Sequence, residues 1–230
     1  LEDGRKITAD EVVINVDFAR AMQKLLSQKR KYTDKKLYSM DYSCSTFMLY
    51  LGVDKVYDIP HHNVFFANDY KKNVDEIADK MVLSADPSFY IQNASVTDPT
   101  LAPEGKSAIY VLVPVPNNKS CIDWEHEKEG FRRLILDKIR EKTELKDLEE
   151  HIEFEKMITP YDWENSYEVF LGATFNLAHS IKQMLYFRPH NDSEELKNLY
   201  VVGGGTHPGS GLPTIYESGR ITAGLITGRR

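Results

Sequence analysis

The chain has 230 residues, 41% of them hydrophobic and 28% charged, an ordinary globular composition that excludes a disordered or fibrous protein. Its 29 Lys and Arg against 35 Asp and Glu leave a net charge of −6, which argues against a dedicated nucleic-acid binder. Cys44 and Cys121 are too few for a disulfide framework, so a reducing, cytoplasmic setting is expected.

At roughly 150 residues per domain the length admits one large domain or two small ones. The chain begins Leu1-Glu2-Asp3-Gly4, with no Met and no signal sequence, and is expected to be a piece of something longer. No apolar run approaches the ~18–20 residues of a spanning helix. Val12-Val13-Ile14 is a short apolar run between polar residues, which predicts a strand buried on both faces, as in a parallel sheet. Phe18, Met22, Leu25 and Leu26 fall at helical spacing and predict a helix over 17–27. Lys24, Lys29, Arg30, Lys31, Lys35 and Lys36 then form a basic stretch in which Asp34 is the single acid. It reads either as a solvated connector or as a contact for anionic lipid headgroups.

From residue 38 to 160 the pattern changes to α+β with antiparallel strands. Strands are predicted over 43–51, ending at Gly52, and over 88–96, between the Asp86-Pro87 and Asp98-Pro99 turn signals. Residues 109–115 are apolar on both faces and predict an interior strand that ends, or meets an edge, near Pro114 and Pro116. Phe131, Leu134, Ile135 and Ile139 make one stripe of an amphipathic helix over 127–142. Ile152, Phe154 and Ile158 fit a last strand with period two.

Residues 170–186 mix small and apolar side chains and predict a buried helix. Leu199-Tyr200-Val201-Val202 predicts a short strand running into Gly203-Gly204-Gly205-Thr206-His207-Pro208-Gly209-Ser210-Gly211, and 212–226 predicts a helix with Pro213 in its first turn. Five glycines in nine residues permit left-handed backbone and close approach to a ligand. The helix start offers free N–H groups and a partial positive charge, suited to a phosphate or the electron-rich edge of a flavin. The segment is not a Walker A loop, since no Lys-Ser/Thr follows the last glycine, and it lacks the G-x-G-x-x-G dinucleotide spacing.

Other constellations are weaker. The side chains of adjacent His61 and His62 would point to opposite faces of an extended segment, and no nearby group completes a metal site. His207 would need Glu217 or Asp192 as an orienting carboxylate to act as a base, and no nucleophile is placed beside it. Trp124, Trp163 and the tyrosines read as packing, with a few available to line an apolar pocket.

The segment from Leu199 to Pro213, with its Thr206-His207-Pro208-Gly209-x-Gly211-x-Pro213 core, resembles the C-terminal signature of bacterial-type phytoene desaturases. The run from Tyr42 to Gly52 is similar to the family's central strand. Leu101-Ala102-Pro103-Glu104-Gly105-Lys106, the run from Val111 to Pro116, Thr159-Pro160 and Arg188-Pro189 also recur in it. The resemblance covers nearly the whole chain and leans toward the C30 branch, the dehydrosqualene (diapophytoene) desaturases. Gly204-Gly205 stand where members often have Ala-Ser. Tyr216-Glu217-Ser218 stand where they often carry small apolar residues, a departure that bears on how this helix packs.

The resemblance implies the amine-oxidase-like superfamily and an FAD cofactor. The implied fold is α/β plus α+β, the C-terminal part of a Rossmann-like FAD-binding domain with an inserted antiparallel-sheet substrate domain. Residues 1–37 and 159–230 would belong to the FAD domain and 38–158 to the substrate domain. Gly204, Gly205, Thr206, His207, Pro208, Gly209, Gly211, Leu212 and Pro213 would approach the flavin, and a Cβ at Gly209 would enter the space of its ribityl chain. The implied reaction removes two hydrogens from a hydrophobic isoprenoid: hydride leaves an allylic carbon for the flavin and a proton leaves the neighbouring carbon. No residue is singled out as the base, and no metal is implied. The alternatives are a diapocarotenoid terminal-methyl oxidase of the same family and a non-catalytic isoprenoid-binding module. Peripheral contact with the inner face of the membrane is expected, as is a missing N-terminal half of the same enzyme that holds the FAD pyrophosphate.

Overall fold

The computed structural model describes residues 3–27 and 29–228, so Leu1 and Glu2 of the opening tetrapeptide lie outside the described residues. In chain order the elements are β1 (Val12–Ile14), α1 (Phe18–Lys24), α2 (Asp34–Ser39), β2 (Ser45–Val53), β3 (His62–Phe65), α3 (Tyr70–Ala78) and β4 (Phe89–Asn93). There follow β5 (Ser107–Val115), α4 (Trp124–Lys142), β6 (Ile152–Ile158), α5 (Pro160–Asn165), β7 (Leu199–Val201) and α6 (Leu212–Thr227). They fall into two compact units, one of Leu1–Ser43, Glu168–Phe170 and Phe175–Arg230, the other of Cys44–Tyr167 and Leu171–Thr174.

The second unit is built on a five-stranded antiparallel sheet in the order β3-β4-β5-β2-β6. The run at 109–115 is an interior strand, bonded to β2 on one side and β4 on the other. Pairing with β4 stops at Leu112, so Pro114 lies beyond that ladder, as its missing N–H requires. Ile109, Val111, Val113 and Val115 point to one face with Phe47, Leu49 and Leu51, and α4 covers them with Trp124, Phe131, Ile135 and Ile139. Phe47 anchors the layer, stacked on Trp124 at 5.8 Å and edge-on to Phe131 at 5.2 Å. Each such large side chain contributes about 1.5–3 kcal/mol by leaving water, so this layer holds the unit together. Asp123 caps α4 by accepting from the Glu125 and His126 N–H groups, and Arg140 and Lys142 sit in its last turn, both matching the helix dipole.

The period-two reading of β6 needs correction. Its register against β2 shifts between Gly52 and Val53. Phe154 and Ile158 pair with Gly52 and Met48 and share the face away from α4, whereas Ile152 joins the core. Phe154 is therefore 62% exposed.

In the first unit, β1 runs parallel to β7 in the register Val12↔Leu199, Val13↔Tyr200, Ile14↔Val201. The parallel pairing matches the sequence reading, but the predicted burial does not. Among the described residues this sheet has two strands, and Val12 and Val13 are exposed. Asp17 caps α1 by accepting from the Arg20 N–H, and the helix buries Phe18, Ala19, Ala21 and Met22 before ending at Lys24, short of the predicted limit. The basic stretch carries α2 and is tied down: Glu195 accepts the N–H groups of Arg30, Lys31 and Tyr32 at 2.6, 2.9 and 2.8 Å.

The predicted helix over 170–186 is replaced by short 3-10 turns and irregular chain. Leu171, Asn176 and Leu185 all have left-handed backbone, which no α-helix tolerates. Its N-terminal part is buried through Phe170, Ala173 and Leu177, but Ile181, Leu185, Tyr186 and Phe187 are exposed. No helix among the described residues is long and apolar enough to cross a membrane.

Candidate functional site

Strand β7 delivers the chain to the glycine turn, and a buried polar network fixes the turn to α6. The fully buried Ser218 Oγ accepts the Gly203 N–H at 3.1 Å and the Asn191 Nδ2–H at 2.7 Å, and meets Thr206 Oγ1 at 3.3 Å. The hydroxyl at 218 thus replaces apolar packing with a clamp on the turn, whereas Tyr216 and Glu217 of the same departure are out in solvent or paired with Arg220. Thr222 Oγ1 donates back to the Ser218 carbonyl at 2.9 Å.

Arg188 braces the turn from the other side. Its side chain is 1% exposed, and it donates to the carbonyls of Thr206 at 3.1 Å, Gly204 at 2.5 Å, Gln183 at 3.3 Å and Leu177 at 3.3 Å. Burial pulls its guanidinium down to about 10. Burial and the Arg188 charge also hold the neighbouring His179 imidazole below its ordinary value. The His207 N–H donates to the Pro189 carbonyl at 2.9 Å, so Arg188 and Pro189 grip the turn together.

The nine predicted site residues lie along this one turn and helix start, but they face different ways. Gly205 and Thr206 are buried, and a Cβ at Gly205 would lie 2.3 Å from that of Phe18. Gly204, His207 and Pro208 are half-buried. Gly209 is buried with φ +145°, and a Cβ there would lie 2.9 Å from His179 Nε2. The neighbour of that position is therefore a histidine, not open ligand space. Gly211, Leu212 and Pro213 are exposed at the start of α6, where Gly211 is the N-cap and no side chain caps the helix. The N–H groups of this first turn and the positive end of the dipole remain available to an acceptor. That donor set, with a buried guanidinium behind it, fits an electron-rich or anionic ring edge such as that of a flavin.

The weaker constellations do not assemble. Glu217 is held by Arg220 at 2.7 Å, and among the described residues no hydrogen bond joins either Glu217 or Asp192 to His207. The rings of His61 and His62 do not point apart but meet at 4.2 Å, with Thr97 and Tyr90 as their hydrogen-bond partners. Among the described residues no group of three potential ligands could hold a metal ion. Sequence reasoning missed Arg188 and Asn191 as parts of the site. The one available signal was Arg188-Pro189 as a family dipeptide.

A parallel strand pair, a glycine turn and an uncapped helix start in one unit, with an antiparallel sheet in the other, suit a protein that binds an anionic or electron-rich ligand at a helix start. The chain belongs to the flavin-containing amine oxidoreductase family, which it matches over residues 1–227 and whose members use FAD. It is 56% identical to a 4,4'-diapophytoene desaturase (4,4'-diapolycopene-forming) of Methylomonas sp, over 99% of this chain and 45% of that protein. It is 42% identical to an all-trans-zeta-carotene desaturase of Myxococcus xanthus, over 99% of this chain and 44% of that protein. With a 4,4'-diapophytoene desaturase (4,4'-diaponeurosporene-forming) of Staphylococcus aureus strain Newman the identity is 38%, over 93% and 44%. The chain thus spans under half the length of these relatives. In fold it is similar to an oxidoreductase from Methanosarcina mazei, with a TM-score of 0.56 at 16% identity over 96% of this chain and 44% of that one.

Proposed function

We propose that this chain is the C-terminal portion of an FAD-dependent carotenoid desaturase that introduces conjugated double bonds into a C30 (or C40) polyisoprenoid. The observation that carries the reading is the 56% identity with the Methylomonas desaturase, sustained over 99% of the chain and therefore through both units. In this reading residues 1–37 and 159–230 are parts of a Rossmann-like FAD domain and 38–158 part of a substrate domain. The parallel β1–β7 pair supports the first assignment. The sheet face away from α4 supports the second, because it lays Tyr50, Tyr110 and Tyr90 side by side at 5.9 and 5.7 Å, with Met48 and Leu112 on the same face.

The cofactor, when bound, supplies the hydride acceptor. Gly204, Gly205, Thr206, His207, Pro208, Gly209, Gly211, Leu212 and Pro213 are assigned to its binding, the exposed ones by contact and the buried ones by shaping the turn. The α6 N-terminus would stabilise negative charge on a ring bound against it. The aromatic sheet face orients the hydrocarbon and keeps water from it. A polyisoprenoid resides in the bilayer, so the protein contacts the inner face of the membrane peripherally from the cytoplasm. The exposed Ile181, Leu185, Tyr186 and Phe187 support such a contact. The FAD pyrophosphate site belongs to an N-terminal half, which the greater length of the relatives supports.

The test is to supply 4,4'-diapophytoene to the parent polypeptide and identify the product by chromatography and mass. Loss of two hydrogens per step, with lengthening conjugation, is expected. An oxygenated terminus would replace the desaturase reading with that of a terminal oxidase.

A further inference from the structure

Arg188 is among the largest fully buried side chains, yet among the described residues it forms an ion pair with no carboxylate. A guanidinium removed from water is costly unless paired or fully hydrogen-bonded, and here its partners are four backbone carbonyls. Two of them, Leu177 and Gln183, belong to the irregular segment before the strand, and two, Gly204 and Thr206, to the glycine turn. Peptide groups are planar, so directing a carbonyl also directs the following N–H the opposite way. The fork therefore sets the 204–205 and 206–207 peptide planes together, and the second sends the His207 N–H to Pro189. Dipoles stabilise the cation but do not neutralise it, so its charge acts on whatever binds at the turn.

We propose that Arg188 is a positioning residue of the flavin site, whose guanidinium holds the glycine turn in its binding shape and whose unneutralised charge favours the reduced, anionic cofactor. The inference rests on the flavin reading of the turn. Accepting a hydride brings two electrons and one proton, a net gain of one negative charge, which a fixed buried cation stabilises without reorganising. Lys is not equivalent at this position, because its ammonium cannot span four carbonyls as a planar fork does.

The test compares R188Q and R188K in the parent polypeptide with bound FAD. Folding is checked by circular dichroism, FAD affinity by titration, and midpoint potential by dye equilibration. In R188Q the affinity falls at least tenfold, and the potential falls by about 30 mV or more, the equivalent of a tenfold loss of preference for the reduced form in a two-electron couple. In R188K the potential returns toward wild type while the affinity stays weakened. A folded R188Q with affinity within twofold of wild type and an unchanged potential would overturn the inference. If R188Q does not fold, R188K decides: unchanged affinity overturns it, weakened affinity with a retained potential supports it. A wild-type parent polypeptide that binds no FAD would instead remove the flavin reading itself.

Discussion

Ser218 offers a direct way to test whether the glycine turn is held by the polar network beneath it. The side chain is fully buried, and its oxygen is the acceptor for both the Gly203 N–H and Asn191 Nδ2. Ser218→Ala removes one small atom, so the cavity term is minor, but it leaves one buried donor and one half-buried donor short of a partner. Each such donor costs about 1–3 kcal/mol. Asn191 keeps long contacts to the Val201 and Ser218 carbonyls at 3.4 Å, which recover part of its share. The net expectation is a loss of about 2–4 kcal/mol, or roughly 4–16 °C in melting temperature for a chain of this size. Thr222→Val is the control, because it removes a single back-bond to the Ser218 carbonyl and should cost under about 1 kcal/mol. Thermal and urea melts followed by circular dichroism supply both values. A Ser218→Ala protein within about 0.5 kcal/mol of wild type, the range of an ordinary surface change, would refute the clamp.

Two further outcomes follow from neighbouring contacts. Gly209→Ala should destabilise by about 1–3 kcal/mol through left-handed strain and the approach to His179, and His179→Ala in the same chain should recover only the contact part. A double-mutant cycle in urea checks this, and strict additivity would show that His179 is not the obstacle. Glu195 governs an acid limb: burial raises its carboxyl, but the N–H groups of Tyr32, Arg30 and Lys31 outweigh that and hold it below its ordinary 4.5. A depressed value means the folded state favours the ionised form. Its stabilisation is therefore complete above pH 4.5 and lost as pH falls below it. Glu195→Gln should cost about 2 kcal/mol at neutral pH and flatten the decline below pH 4.5 in pH-dependent melts, whereas an equally steep decline would exclude Glu195 as its source.

Much of the scaffold was legible because periodicity and turn chemistry are local. The interior strand β5, the stripe of α4 and the strand–glycine–helix order of the candidate site all followed from residue spacing. Elements with weak patterns escaped: β3 has four residues, and α2 is a six-residue helix inside the basic stretch. The 170–186 error has a different source. Its apolar content suits a helix, and nothing local announces left-handed backbone at Leu171, Asn176 and Leu185. The β6 stripe failed because a register shift exchanges the two faces of a strand, and that shift depends on the pairing with β2. Arg188 was hidden for a further reason. Arginine is rarely buried, and its partners are carbonyls drawn from two separate stretches of chain, which only the folded turn brings together. Ser218 looked like a departure from apolar packing, and its value as an acceptor emerged only beside Asn191 and Gly203.

The role proposed for the turn from Gly203 to Gly211 and the start of α6 is to serve an FAD that takes hydride from a polyisoprenoid. It is tested most directly by anaerobic mixing of the purified, FAD-loaded parent polypeptide with 4,4'-diapophytoene while the flavin absorbance is recorded. The expected result is bleaching of the oxidised flavin band matched one for one by new conjugated double bonds in the hydrocarbon. Flavin that stays oxidised while the folded enzyme is saturated with substrate would contradict it.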